Sequence, residues 1–222
     1  MSFNAVAIFT KYPYQGQVKT RLAATIGAEK ACQLHTKMTY HALNMVMQLQ
    51  REGVAECIVF FHGADRELAH IWIKSGLDRR FFYDPLMLLK QYGEELGARM
   101  HHAFQQMSDM GYEKMLLMGT DCPELTKEIL QDALSALSDR DVVFGPALDG
   151  GYYLIGMKAP NPILFQDIPW SREDTLEQTL RRCRYHNISY AMLPTLRDID
   201  TGEDLAIFTR SYHEFECHHP CL

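Results

Sequence analysis

The chain has 222 residues, 47% of them hydrophobic, and a formal net charge of −6. That length and apolar share predict one well-packed domain, and the acidic balance excludes the clustered excess of Lys and Arg that a nucleic-acid footprint requires. The apolar stretch near the N-terminus is too short for a signal peptide, and no run approaches the roughly 20 residues that span a bilayer, so a cytoplasmic protein with reduced cysteines is expected. In chain order, AVAIF (5–9) predicts a buried first strand, bounded by Pro13 and Gly16. Over residues 28–51 the apolar positions Ala31, Leu34, Met38, Ala42, Met45 and Leu49 recur at helical spacing, and Gly53 ends the helix. AECIVFF predicts a second strand, RELAHIWIKSG a helix closed by Gly76, and RRFFYD (79–84) a third, shorter strand. A helix over about 94–107 and the strand KMLLMG follow. They lead to a helix over 127–137, the strands DVVFG and GYYLIGM, a helix near 173–184, the strand ISYAML and a last helix from Thr201. This alternation predicts an α/β fold with a mixed, mostly parallel sheet flanked by helices. No linker or repeat interrupts it, so a single domain over 1–222 is expected, with a core of about 4–211 and a tail of 212–222.

Open α/β sheets bind ligands at the carboxyl ends of their strands, which directs attention to four loops. The first, KYPYQGQVKTRL, fails the P-loop pattern because Gln17 and Val18 separate Gly16 from Lys19. What remains is a turn that delivers Lys19, Thr20 and Arg21 near a helix start, where backbone N–H groups favour anions. GTDCPEL sets Asp121 at a strand mouth, where a carboxylate can hold Mg²⁺ or serve only as a turn former. GPALDGGYY offers Asp149 with Gly150 and Gly151, either a close approach to a ligand or an ordinary hairpin. RDIDTGEDL holds Asp198 and Asp200, with Asp200 or Thr201 also able to cap the final helix.

Taken in order, FTKYPYQGQVKTRL, QYGEELGARM, GTDCPEL, GPALDGGYYLIG, PWSREDTLEQT and RDIDTGEDL resemble a bacterial family of GT-A-fold proteins. Its members go by the names nucleotide-diphospho-sugar transferase and glycosyltransferase-like protein, are associated with radical-SAM and arsenosugar genes, and are related to molybdenum-cofactor and phospholactate nucleotidyltransferases. The resemblance covers nearly the whole chain and implies a single-domain Rossmann-like GT-A fold. It implies that Gly16, Lys19, Thr20, Arg21, Gln91 and Arg99 lie on the nucleotide and phosphate side. Gly150, Gly151, Tyr152, Trp170 and Ser171 would line the acceptor side. Asp121 would be the metal carboxylate; GTDC carries one aspartate where most sugar transferases have D-x-D, so Asp149 and Asp200 are the candidates for a second ligand. Mg²⁺ or Mn²⁺ is the implied cofactor, with a nucleotide donor and a small-molecule acceptor as partners and no nucleic acid or membrane.

Two chemistries use these parts. In glycosyl transfer from a nucleotide-diphospho-sugar, the function expected here, an acceptor hydroxyl attacks the sugar carbon and Asp149 is the candidate base. In nucleotidyl transfer an acceptor phosphate attacks a nucleoside triphosphate, and catalytic Lys19 and Arg21 neutralise the developing charge. A catalytically idle nucleotide-binding protein is the third alternative. The terminal His213, Cys217, His218, His219 and Cys221 are read as adventitious metal binders, His101 and His102 as surface or core residues, and Met38, Met45 and Met47 as core filling.

Overall fold

Strands covered on both faces read as unbroken apolar runs, and the first strand does so because it lies inside the sheet. β1 (Asn4–Lys11) buries Ala5, Val6, Ala7 and Ile8 completely. The structure, a computed structural model, describes residues 3–170 and 172–211. After β1 come α1 (Thr20–Ile26), α2 (Ala28–Arg51), β2 (Glu56–His62), α3 (Arg66–Ser75), β3 (Met87–Lys90), α4 (Leu96–Asp109) and β4 (Lys114–Met118). α5 (Lys127–Ala136), β5 (Val142–Pro146), β6 (Tyr152–Met157), α6 (Thr175–Tyr185), β7 (Tyr190–Met192) and α7 (Gly202–Ser211) complete the order. The strands form one seven-stranded sheet, β3-β2-β1-β4-β6-β5-β7. β6 runs antiparallel to β4 and β5, and every other neighbouring pair is parallel. No described helix is long and apolar enough to cross a membrane.

Period-two alternation sends successive strand residues into two separate layers. Val6, Ile8, Val59, Phe61 and Leu116 pack with Leu43 and Met47 of α2, Trp72 of α3 and Leu130 of α5. Ala5, Ala7, Ile58, Phe60 and Leu117 pack on the opposite face with Phe104 and Met107 of α4 and Cys183 of α6. Each Val, Leu, Ile, Phe or Met among them contributes about 1.5–3 kcal/mol when fully buried, so the two layers hold the sheet in register. A smaller cluster of Leu22, Met38, Ile199 and Phe208 joins α1, α2 and α7. Ile199 belongs to the loop after β7, so this cluster anchors the segment that carries Asp198 and Asp200.

One expected element is corrected. Residues 79–84 form no strand: Arg79–Phe81 is a 3₁₀ turn, in which the Asp78 carboxylate accepts the Arg80 N–H at 2.9 Å. Phe81 is buried whereas Phe82 and Tyr83 are exposed, and the third strand forms beyond Pro85. A local Asp turn defeats β-propensity here because only one of the aromatics has a core to enter. Met38 and Met47 fill the core, and Cys57, Cys122 and Cys183 are buried free thiols. The Cys/His tail lies outside the described residues.

α2 also buries His35, whose Nε2 lies 2.8 Å from the Lys11 carbonyl at the end of β1. Burial lowers its pKa below 6.5. The unfolded chain therefore binds a proton that the native state refuses, so stability holds above pH 6.5 and falls as pH drops toward the folded pKa. Urea midpoints measured between about pH 7.5 and 5.5 are expected to decline with acidity, and less steeply in His35→Gln.

Candidate functional site

β1, β4, β5 and β7 all end at one edge of the sheet, and the antiparallel β6 begins there. A cavity of about 290 Å³ opens at this edge. Its wall takes Arg21 from α1, Asp121 from the end of β4, Asp149 and Gly151 from the β5–β6 turn, and Tyr152 from β6. Trp170 and Arg172, which precede α6, and Asp198 and Asp200, which follow β7, close it. Four loops distant in sequence thus meet because parallel connections return each strand to the same edge.

The first loop delivers Lys19 inward. Gly16 sits in an exposed turn with φ 74°, closed by the Gln17 N–H donating to the Tyr14 carbonyl at 3.0 Å, while Val18 is buried and anchors the loop. Lys19 adopts left-handed φ 49° just before α1, and its side chain is only 3% exposed. The ammonium lies 3.0 Å from Asp121 and 3.6 Å from Asp200, and it donates to the Ile199 carbonyl. Arg21 forms an ion pair with Asp200, whereas Thr20 is exposed. The two cations of the first loop therefore tie together carboxylates from two other loops.

Asp149 closes the β5–β6 turn and faces the cavity at once: its Oδ1 accepts the Gly151 N–H at 2.8 Å. The turn-forming role and the wall position coincide in one side chain. Gly150 does not line the cavity; with φ 87°, it packs on the chain before α6, where a Cβ would stand 1.8 Å from the Glu173 carbonyl oxygen. Gly150→Ala combines left-handed strain with a backbone clash, and urea denaturation is expected to show a loss of at least about 2 kcal/mol.

The final loop separates its acids by role. Thr201 and Asp204 cap α7 reciprocally: the Asp204 carboxylate accepts the Thr201 N–H at 2.9 Å, and the Thr201 hydroxyl accepts the Asp204 N–H at 3.2 Å. The capping box leaves the Asp200 carboxylate to Arg21 and Lys19. Burial and then the neighbouring Asp149 raise Asp198 to about 6. Asp198 stands two residues before Asp200 in the same loop, and that proximity was the one sequence signal for its place in the wall.

Aromatic rings form the other side. Trp170 meets Tyr152 edge to face, with centroids 6.3 Å apart, and stacks on Phe165 at 6.5 Å. The first turn of α4 passes close because residue 97 is glycine; a Cβ there would lie 2.6 Å from Trp170 Nε1. Leu96 and Met100 of α4 also line the cavity, one helical turn apart on one face. Ser171 lies outside the described residues.

Gln91 and Arg99 sit apart from this wall, toward β1–β3. The Gln91 amide donates to the Thr10 and Phe60 carbonyls at 3.1 and 2.9 Å, splinting the ends of β1 and β2. Arg99 donates to the Gly93 and Glu94 carbonyls at 2.9 and 3.2 Å. Burial, followed by the charges of Arg99, Lys11 and Lys90, lowers the pKa of His62 at the end of β2. Lys11, Lys90 and Arg99 thus gather around His62 at the β1–β3 end of the edge. Among the described residues no three His, Cys, Asp or Glu side chains converge as a metal cage. His101 and His102 pack near Phe165 and Tyr92 respectively.

Residues 45–172 match the family model described as "Uncharacterized protein conserved in bacteria (DUF2064)". A phosphoenolpyruvate guanylyltransferase of Chloroflexus aggregans is 24% identical over 66% of this chain and 69% of that protein. A 2-phospho-L-lactate guanylyltransferase of Methanocaldococcus sp. strain FS406-22 is 26% identical over 53% of this chain, a match that spans 50% of that relative. A crystal structure from Desulfovibrio desulfuricans G20, described as a nucleotide-diphospho-sugar transferase, is 33% identical and covers 96% of this chain and 89% of its own, with a TM-score of 0.80. These relatives are transferases, and the last shares the Rossmann-like nucleotide-diphospho-sugar transferase fold that the motifs implied.

Proposed function

The chain belongs to the DUF2064 family, and from that premise we propose that it is a one-domain transferase that takes a nucleotide-diphospho-sugar donor and passes the sugar to a small-molecule acceptor. The observation that carries this reading is Asp149, held by its own turn on the wall of a cavity between acidic and aromatic faces. The donor extends from the β1–β3 end, where Lys11, Lys90 and Arg99 surround His62, and places its diphosphate in the cavity. The acceptor hydroxyl attacks the sugar carbon and gives its proton to the Asp149 carboxylate. A new C–O bond forms, the bond from the sugar carbon to the diphosphate oxygen breaks, and its electron pair leaves with the diphosphate. Lys19 and Arg21 fix the positions of Asp121 and Asp200.

Mg²⁺ or Mn²⁺ fits the donor set. The cavity wall carries the carboxylates of Asp121, Asp149, Asp198 and Asp200 against the guanidinium groups of Arg21 and Arg172, which leaves oxygen ligands and net negative charge for a divalent ion. Asp121 and Asp200 would hold it, in keeping with the habit of Mg²⁺ of taking one or two carboxylates together with substrate phosphates, and Asp149 stays free to act as the base. Such an ion, when bound, supplies charge neutralisation at the diphosphate.

Nucleotidyl transfer is the second reading, favoured by the guanylyltransferase names of two relatives. Against it stands the engagement of Lys19 and Arg21 by carboxylates, which leaves less positive charge for a triphosphate. A thermal-shift panel of UTP, GTP, CTP, ATP and their diphosphate sugars, with and without Mg²⁺, separates the readings. Ligand at about a hundredfold its Kd stabilises the native state by about 2.7 kcal/mol, and a diphosphate sugar is expected to do so. Stabilisation by triphosphates alone moves the assignment to nucleotidyl transfer, and no shift by any nucleotide overturns both readings.

A further inference from the structure

We infer that Arg172 is a further catalytic residue: its guanidinium receives the diphosphate of the donor and stabilises the charge that builds there as the sugar leaves. This inference rests on the sugar-transfer reading above and concerns the same cavity. Two guanidinium groups line it, those of Arg21 and Arg172. Arg21 is paired with Asp200, an acid of the wall itself. Arg172 pairs with no acid of the wall; among the described residues its one ion pair is with Asp174, whose Oδ1 lies 3.3 Å from Nε. Nη1 and Nη2 carry no ion pair there, and together they form an edge of the fork that grips two phosphate oxygens at once. The side chain is 66% exposed, so an anion entering the cavity meets it without rearrangement.

The segment that carries Arg172 is fixed in place. The hydroxyl of the buried Thr175 accepts the Arg172 N–H at 3.2 Å and lies 2.8 and 2.9 Å from the carbonyl oxygens of Arg172 and Pro169. The Leu176 N–H donates to the Gly150 carbonyl at 2.9 Å, and Gly150 packs on the Glu173 backbone. Arg172 is thereby clamped to the turn that holds Asp149. Asp174 is held in its turn, since its Oδ2 accepts the Gln178 amide at 3.1 Å, and it steadies the Nε side of the guanidinium. The wall divides its tasks accordingly: Asp121 and Asp200 serve a metal, Asp149 takes the acceptor proton, and Arg172 faces the leaving phosphate. When the bond from the sugar carbon to the diphosphate oxygen breaks, the electron pair stays on that oxygen. Arg172 donates hydrogen bonds to the phosphate and keeps its own protons, because a guanidinium is not deprotonated in proteins.

Titration calorimetry on the full chain with Mg²⁺ tests this, with UDP, GDP, CDP and ADP as probes, each beside its monophosphate. No acceptor is present, so any loss of affinity concerns the donor side alone. For the diphosphate that binds best, Arg172→Gln is expected to weaken binding about tenfold or more, and Arg172→Lys to recover part of the loss. The matching monophosphate is expected to change less than about twofold, and the melting temperature of both variants to stay at the wild-type value, because the side chain is largely exposed. Unchanged diphosphate affinity in Arg172→Gln overturns the inference. So does an equal loss for diphosphate and monophosphate, which marks a merely structural role. Failure of every diphosphate to bind the wild-type chain brings down the sugar-transfer reading, and this inference with it.

Discussion

Lys19→Ala is expected to destabilise the protein by about 2–3 kcal/mol and to weaken nucleotide binding at the same time. The ammonium lies between Asp121 and Asp200 and donates to the Ile199 carbonyl, so removing it leaves acceptors from two loops without their common donor. Deleting one partner of a buried pair costs about 3–5 kcal/mol; the Asp121 side chain is 47% exposed, so water recovers part of that loss. For a chain of this size the change amounts to roughly 4–12 °C in melting temperature. Left-handed φ at Lys19 adds a second expectation. Lys19→Gly relieves the backbone strain but still lacks the ammonium, so it should be less destabilised than Lys19→Ala while binding nucleotide equally poorly. Chemical denaturation of both variants beside a nucleotide titration reads the two effects separately.

Asp149→Asn is expected to lower kcat about 10²–10⁴-fold with little change in donor affinity. Asparagine keeps an oxygen to accept the Gly151 N–H, so the β5–β6 turn and the position of Tyr152 survive. What is lost is the carboxylate that receives the acceptor proton. Fold and donor binding are therefore expected to match the wild-type chain in circular dichroism and calorimetry. A parallel collapse of donor affinity would move Asp149 from base to phosphate or metal ligand.

The sheet was legible because its strands are buried on both faces and its helices carry clean apolar stripes. Residues 28–51 were bounded by helical spacing and by Gly53, and the structure places that helix over Ala28–Arg51. The failure at RRFFYD came from reading propensity where tertiary burial decides: Phe81 found a core and Tyr83 did not. The candidate wall was partly visible, since each of its acids follows a strand. Sequence could not show that Lys19 and Arg21 turn toward Asp121 and Asp200, because that meeting joins segments far apart along the chain. Nor could it show that Gly150 packs against the Glu173 backbone while its neighbour Gly151 lines the cavity. Met100 and Tyr153 escaped notice for the same reason, being apolar positions whose exposure to a cavity is fixed only by packing.

The most direct measurement is ³¹P NMR of the wild-type chain with Mg²⁺, a mixture of diphosphate sugars or of triphosphates, and a panel of hydroxylated small-molecule acceptors. The account predicts nucleoside diphosphate released from one sugar nucleotide, dependent on an added acceptor and slowed at least about 10²-fold in Asp149→Asn. Pyrophosphate released from a triphosphate, with no nucleoside diphosphate from any sugar nucleotide, would contradict it.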